Sequence, residues 1–184
     1  MFFGRRFSET TDGDLVARAA EGDEGAFEEL LRRHQDAVYR FALRFLGDAY
    51  EAEDVTQEVF MRLFQTAKRY RPRGAALRTY LLRVARNLCI DGLRKKRPLT
   101  MESPPEMSTA ETPLDRLENA EAAERVARAV AALPDSQRAA VLLRHDQGLS
   151  YDEIARVMET TVPAVESLLV RGRRALRRRL ASAR

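Results

Sequence analysis

Apolar residues recur at helical spacing along nearly all of this chain, and no segment alternates as a strand would. That pattern predicts an all-α fold. Asp14 to His34 carries Leu15, Val16, Ala19, Phe27, Leu30 and Leu31, broken at Glu21-Gly22-Asp23-Glu24, so two helices are expected there. Val38, Phe41, Ala42 and Phe45 make the next stripe, which stops at Gly47. Asp48 to Lys68 follows with Val55, Val59, Leu63 and Phe64 on one face. Tyr70 to Gly74 reads as a basic loop. Thr79 to Arg94 then sets Leu81, Val84, Ala85 and Leu88 on a buried stripe, interleaved with Arg83, Arg86, Asn87 and Arg94.

The pattern lapses from Pro98 to about Pro113, where Pro, Ser, Thr, Met and Glu dominate and Pro104, Pro105 and Pro113 block a helix. Such a stretch reads as a linker between two small domains. Helical spacing resumes at Leu117, with Val126, Val130 and Leu133 on one stripe. Pro134 ends that helix, and Asp135 to His145 leads to Gly148 as a stop, giving three or four short helices in the second domain.

The end of the chain is the most specific part. Ser150 and Glu153 make a capping box, in which the serine oxygen takes an orphan amide at a helix start and the glutamate reaches back. Ile154, Ala155 and Met158 give that helix one apolar face. Thr161 can cap a second helix with Pro163 in its first turn, and Val165, Leu168, Leu169, Leu176 and Leu180 recur at helical spacing. Two helices joined by the short turn Glu159-Thr160-Thr161 read as a helix-turn-helix. The polar side of the second helix carries Glu166, Ser167, Arg171, Arg173, Arg174, Arg177 and Arg178, a surface suited to duplex DNA. A solvated basic helix, or one for a membrane or an acidic partner, is the alternative. Glu159 stands where many such turns have glycine, which predicts a looser or slightly strained turn.

Charge is sorted into blocks. The net charge is only +4, yet residues 9–36 sum to −6, residues 62–97 to +11 and residues 98–124 to −6, and residues 170–184 hold seven arginines and no acid. Two basic surfaces separated by an acidic segment are the footprint of phosphate binding, which weakens steeply with salt. Several other chemistries are disfavoured. The single cysteine, Cys89, excludes an internal disulfide, and its apolar neighbours Leu88, Ile90 and Leu93 favour a buried, inert thiol over a redox switch. His34 and His145 lie far apart with no cysteine cluster, so no metal site or cofactor is expected. No apolar run approaches the roughly 18 residues that span a bilayer, and no signal-peptide core follows Arg5-Arg6. A cytoplasmic protein without membrane insertion is expected. No nucleophile, metal or phosphate-cradling pattern suggests an enzyme.

Several motifs occur together and in order. Ala52-Glu53-Asp54-Val55-Thr56-Gln57-Glu58-Val59-Phe60, then Thr79 to Asn87 and Asp91-Gly92-Leu93-Arg94-Lys95, resemble region 2 of bacterial sigma factors of the extracytoplasmic-function (ECF) group in the sigma-70 family. Asp14 to Arg18 and Gly22 to Phe27 resemble the N-terminal signature of that group. Leu133-Pro134, Arg138, Gly148 to Tyr151, Glu153-Ile154-Ala155, Val165-Glu166-Ser167 and Arg171 are similar to region 4. The resemblance covers about residues 12–97 and 119–181. It implies two helical domains, region 2 over 10–97 and region 4 over 119–182, joined by a linker over 98–118.

By that resemblance the chain directs promoter-specific transcription initiation with core RNA polymerase, touching its largest and second-largest subunits. Asp54, Gln57 and Glu58 would dock on a coiled coil of the largest subunit. Taken alone, the same residues also read as a solvated acidic helix start. Lys68 to Arg78 and the following helix would recognise the −10 promoter element, with Arg78, Tyr80, Arg83, Asn87, Asp91 and Arg94 facing the DNA. Tyr80 occupies the usual place of a tryptophan, and both base stacking and a core anchor remain open for it. Glu166, Ser167, Arg171 and Arg174 would face the −35 element. Glu166 departs from the usual lysine or arginine; its carboxylate can accept from a cytosine amino group but repels phosphate. Gly172 replaces the usual alanine, and a helix-interior glycine costs ~1 kcal/mol. The resemblance also implies an anti-sigma partner. A repressor or activator using only the helix-turn-helix, and an adaptor binding through its acidic faces, are the other readings. The motifs over 52–60 and 79–95 count against an ordinary repressor, which has no need of them.

Overall fold

The computed structural model describes Phe7 and residues 9–69, 77–96 and 115–182. The described residues hold eight α-helices, one 3-10 turn and no strand. The expected basic loop at Tyr70 to Gly74 and the proline-rich segment lie outside them.

In the first half, α1 (Asp12–Ala20) starts at Thr11, whose Oγ1 accepts the Asp14 amide at 3.2 Å. Helix α2 (Glu24–Leu46) starts at Asp23, whose Oδ1 accepts the Ala26 amide at 3.1 Å. The break at Glu21 to Glu24 is therefore real. The two stripes expected on either side of His34, however, merge into one long helix. Phe27, Leu30, Leu31, His34, Val38, Phe41 and Phe45 stay in phase at helical spacing, and Gln35-Asp36-Ala37 contains no breaker. His34 fills an apolar register position, buried, with its Nε2 2.7 Å from Asp12 Oδ2.

Gly47, at φ 77°, closes α2 in the left-handed conformation that glycine adopts without a Cβ penalty. Asp48 caps the next helix at once, its Oδ1 accepting the Glu51 amide at 3.0 Å. Helix α3 (Ala49–Thr66) runs into a 3-10 turn at Ala67–Arg69, and α4 is Leu77–Lys96. Leu15, Leu30, Val38, Phe41, Phe45, Val59, Leu63, Leu81 and Leu82 form the core here. Cys89 is fully buried among them, and burial pushes its thiol up to about 12, so the thiolate that oxidation and metal binding need does not form near neutral pH.

In the second half, α5 (Asp115–Ala131), α6 (Asp135–His145), α7 (Tyr151–Met158) and α8 (Val162–Ala181) surround Val130, Leu133, Leu143, Ile154, Val157, Val165 and Leu169. Helix α5 opens two residues ahead of Leu117. Periodicity overstated burial in three places: Phe64, Val126 and Leu180 are exposed. Spacing assigns a side chain to a face but does not supply a neighbour to cover it. Phe64 makes a T-shaped contact with the Phe27 ring, with centroids 5.4 Å apart, and stays largely open to solvent.

The two halves pack on each other, α4 against α7 and α2 against α5 and α6. Arg138 of α6 donates through Nη1 to the Phe45 carbonyl at the end of α2, 2.8 Å away, and Arg44 pairs with Asp146 at 2.9 Å. No described helix is long and apolar enough to cross a membrane.

Candidate nucleic-acid interface

Three surfaces carry the residues singled out in the sequence. The first is the outer face of α3. Asp54 and Gln57 are exposed there, and Glu58 is half-exposed, its Oε1 accepting from Arg62 Nε at 2.7 Å. Asp54, Gln57 and Glu58 are three and four residues apart, so they share one helical face.

The second surface is a stripe along α4, where Tyr80, Arg83, Asn87, Asp91 and Arg94 follow one another at helical intervals. Tyr80 is half-buried. Its ring packs against the core, and its hydroxyl lies 3.3 Å from Thr66 Oγ1. The Arg83 guanidinium sits over that ring, 5.6 Å from the centroid. Asn87 accepts through Oδ1 from Arg86 at 3.0 Å, while Asp91 and Arg94 are exposed. Arg78, two residues before Tyr80 and so about half a turn around the helix, is turned toward the second half of the molecule. Its Nη2 donates to the Gln147 carbonyl at 2.8 Å and to Gln147 Oε1 at 3.0 Å.

The third surface is the helix-turn-helix. Ser150 Oγ accepts the Glu153 amide at 3.3 Å, and Glu153 Oε2 accepts the Ser150 amide at 2.8 Å, so the capping box is complete. Those bonds, the backbone one foremost, hold the Glu153 carboxyl below its usual range. Thr161 Oγ1 accepts the Ala164 amide at 3.4 Å, and Pro163 sits in the first turn of α8. Val165 and Leu169 anchor α8 inward, which turns Glu166, Ser167, Arg171 and Arg174 to solvent. Arg171 is folded back onto its own helix, with Nη2 2.8 Å from Ser167 Oγ. Glu166 is the only acid on α8.

The turn is neither loose nor relaxed. Glu159 adopts φ 52° and ψ 49°, and its N–H closes α7 on the Ala155 and Arg156 carbonyls. Its carboxylate lies 3.5 Å from Arg83 Nη1 of the α4 stripe. Helical periodicity did not point to Gln147, and although Glu159 stood out as a departure from glycine, nothing in the sequence named its partner.

An arginine-lined helix-turn-helix, on a frame whose described residues fold only into helices, defines the class of helical DNA-binding proteins. Comparison narrows the class. Residues 30–98 match Sigma-70 region 2, and residues 117–176 match Sigma-70, region 4. The ECF RNA polymerase sigma factor SigW of Bacillus subtilis is 30% identical over 90% of this chain and 94% of its own length. The ECF RNA polymerase sigma factor SigE of Mycolicibacterium smegmatis is 36% identical over 88% of this chain, which spans 65% of that relative. Among solved structures, CnrH in complex with the cytosolic domain of CnrY superimposes with a TM-score of 0.71 at 29% identity, covering 93% of this chain and 97% of that one. The chain belongs to the ECF sigma factors of the sigma-70 family, the proteins that give RNA polymerase promoter-specific initiation.

Proposed function

We propose that residues 10–97 act as region 2, residues 119–182 as region 4, and residues 98–118 as the tether between them. Asp54, Gln57 and Glu58 dock on the largest subunit of core polymerase, and the second-largest subunit completes the partner surface. Arg78, Tyr80, Arg83, Asn87, Asp91 and Arg94 serve the −10 element, and Glu166, Ser167, Arg171 and Arg174 the −35 element. The observation that carries this division is the separation of the exposed acidic face of α3 from two cation-bearing helical faces, on α4 and α8. A face rich in acceptors suits a basic protein partner, and faces rich in arginine suit phosphate and base edges.

Each DNA-facing helix offers few contacts. Tethering both to one polymerase raises their effective concentration at a promoter, provided the linker spans the two elements. The protein acts by binding rather than by catalysis, and it works in the cytoplasm with the polymerase. An anti-sigma protein is proposed as a further partner, supported by the likeness to CnrH, whose solved structure is a complex with CnrY.

Run-off transcription from genomic promoter fragments, with core polymerase and with or without this protein, tests the reading. Starts that need both components are expected. A protein that shifts duplex DNA alone, with no dependent start, would instead be a repressor or activator.

A further inference from the structure

Glu159 is the only non-glycine residue at positive φ among the described residues. That conformation favours glycine, and an L side chain held there marks a position whose side chain has a task. The task is visible across the interface. Besides the 3.5 Å pair with Arg83, Glu159 is the main charge opposing the desolvation of Arg86, whose guanidinium burial pushes below its usual value. Arg86 Nε is buried without a hydrogen-bond partner, on the helix that packs against α7. One element earlier, buried Gln147 offers its carbonyl and side-chain oxygens to Arg78.

We infer that Glu159 is an intramolecular latch, which with Gln147 holds region 4 on α4 and occupies Arg78 and Arg83 until the two regions separate. The inference rests on the assignment of α4 to −10 DNA. The latch atoms are a carboxylate and amide oxygens, acceptors of the kind a DNA backbone would bring to the same arginines. Closed chain and promoter therefore compete for one set of donors. The Arg83–Glu159 pair is partly exposed, at 39% and 59% of the two side chains, so it is weak, salt-sensitive and reversible.

The test uses the full chain with spin labels at Tyr50→Cys on α3 and Val170→Cys on α8, both exposed sites, while Cys89 stays buried. Interspin distances are compared for the parent, Glu159→Gly, Glu159→Arg, and Glu159→Arg combined with Arg83→Glu. Glycine suits the backbone at 159, so the fold is retained in that variant. Both single variants should raise the open population roughly threefold, and the charge swap should restore the parent distribution. Parent-like distances in both single variants would overturn the latch. In a second arm, a random pool of fluorescein-labelled single-stranded DNA should bind Glu159→Gly roughly threefold more tightly than the parent, with the gain lost on adding Arg83→Ala. Opening without tighter binding would remove α4 from the −10 assignment, and the occlusion with it, whereas an absence of opening overturns the latch whatever the DNA arm shows.

Discussion

Gly172 of α8 packs against Val141 of α6 so closely that a Cβ built on the glycine would lie 2.8 Å from Val141 Cγ2. The glycine that costs helix propensity is what allows the two helices of region 4 to approach. Gly172→Ala gains ~1 kcal/mol of propensity but overpacks a β-branched neighbour with little room to turn, a cost of about 1–3 kcal/mol. A net loss of about 1 kcal/mol is expected in urea unfolding. Val141→Ala in the same chain should recover part of it, so the two changes should couple by about 1 kcal/mol. Additive effects would mean that the close contact is not what selects glycine.

Glu29 is buried on α2 between Arg32, at 2.6 Å, and Arg33, at 2.7 Å. The hydrogen bond from Arg32, helped by Arg33 and opposed by burial, lowers its carboxyl from the usual 4.5 to about 2. The folded-state value lies below the unfolded one, so the stabilisation is complete above pH 4.5 and is lost as the pH falls through about 2. Glu29→Gln should cost about 2 kcal/mol near neutral pH, since Arg33 loses a charged partner in a half-buried place. Thermal melts of parent and variant should converge as the pH is lowered from 5 toward 2; a constant difference would refute the carboxylate's role.

On α3, Asp54→Ala with Gln57→Ala removes two exposed side chains that pack nothing in the core. The fold should be unaffected, because surface changes of this kind stay within about 0.5 kcal/mol. Association with core polymerase should weaken roughly tenfold if these groups sit near the centre of that interface. Unchanged association, measured by fluorescence anisotropy with labelled chain, would take the docking role from this face.

Arg171→Ala should lower transcription from promoters that carry a −35 element, by roughly three- to tenfold, and leave promoters lacking the element unaffected. Arg171 is exposed and bonds only to its own helix at Ser167, so its loss should not disturb packing. An equal reduction on both promoter classes would show a loss of general phosphate affinity rather than of element recognition.

Most of the helical frame could be read from residue types, because its signals are local. Asp23, Asp48, Ser150 and Thr161 each accept an amide three residues on, and Gly47 ends α2 as expected. The polar face of α8 followed from the same periodicity, whereas the rows on α3 and α4 were singled out by the resemblance. What stayed hidden depends on neighbours distant in sequence. Arg78 donates to Gln147, 69 positions away, a partner that spacing along α4 could not name. The reason for Gly172 lay in Val141, and the partner of Glu159 lay on another domain. Spacing reports which side of a helix is apolar, but not what is brought against it.

Arg138 shows how unequally the molecule's internal ties are distributed. Its guanidinium serves the carbonyls of Ala131 and Leu133, in the bend between α5 and α6, as well as the carbonyl of Phe45 on α2. Were the two halves to part, the bend would keep its two bonds, and Phe45 would exchange one protein donor for water at a net cost of about 1 kcal/mol. One arginine thus gives a lasting clamp to its own neighbourhood and a removable cap to a foreign helix, so the halves can part without loosening that bend.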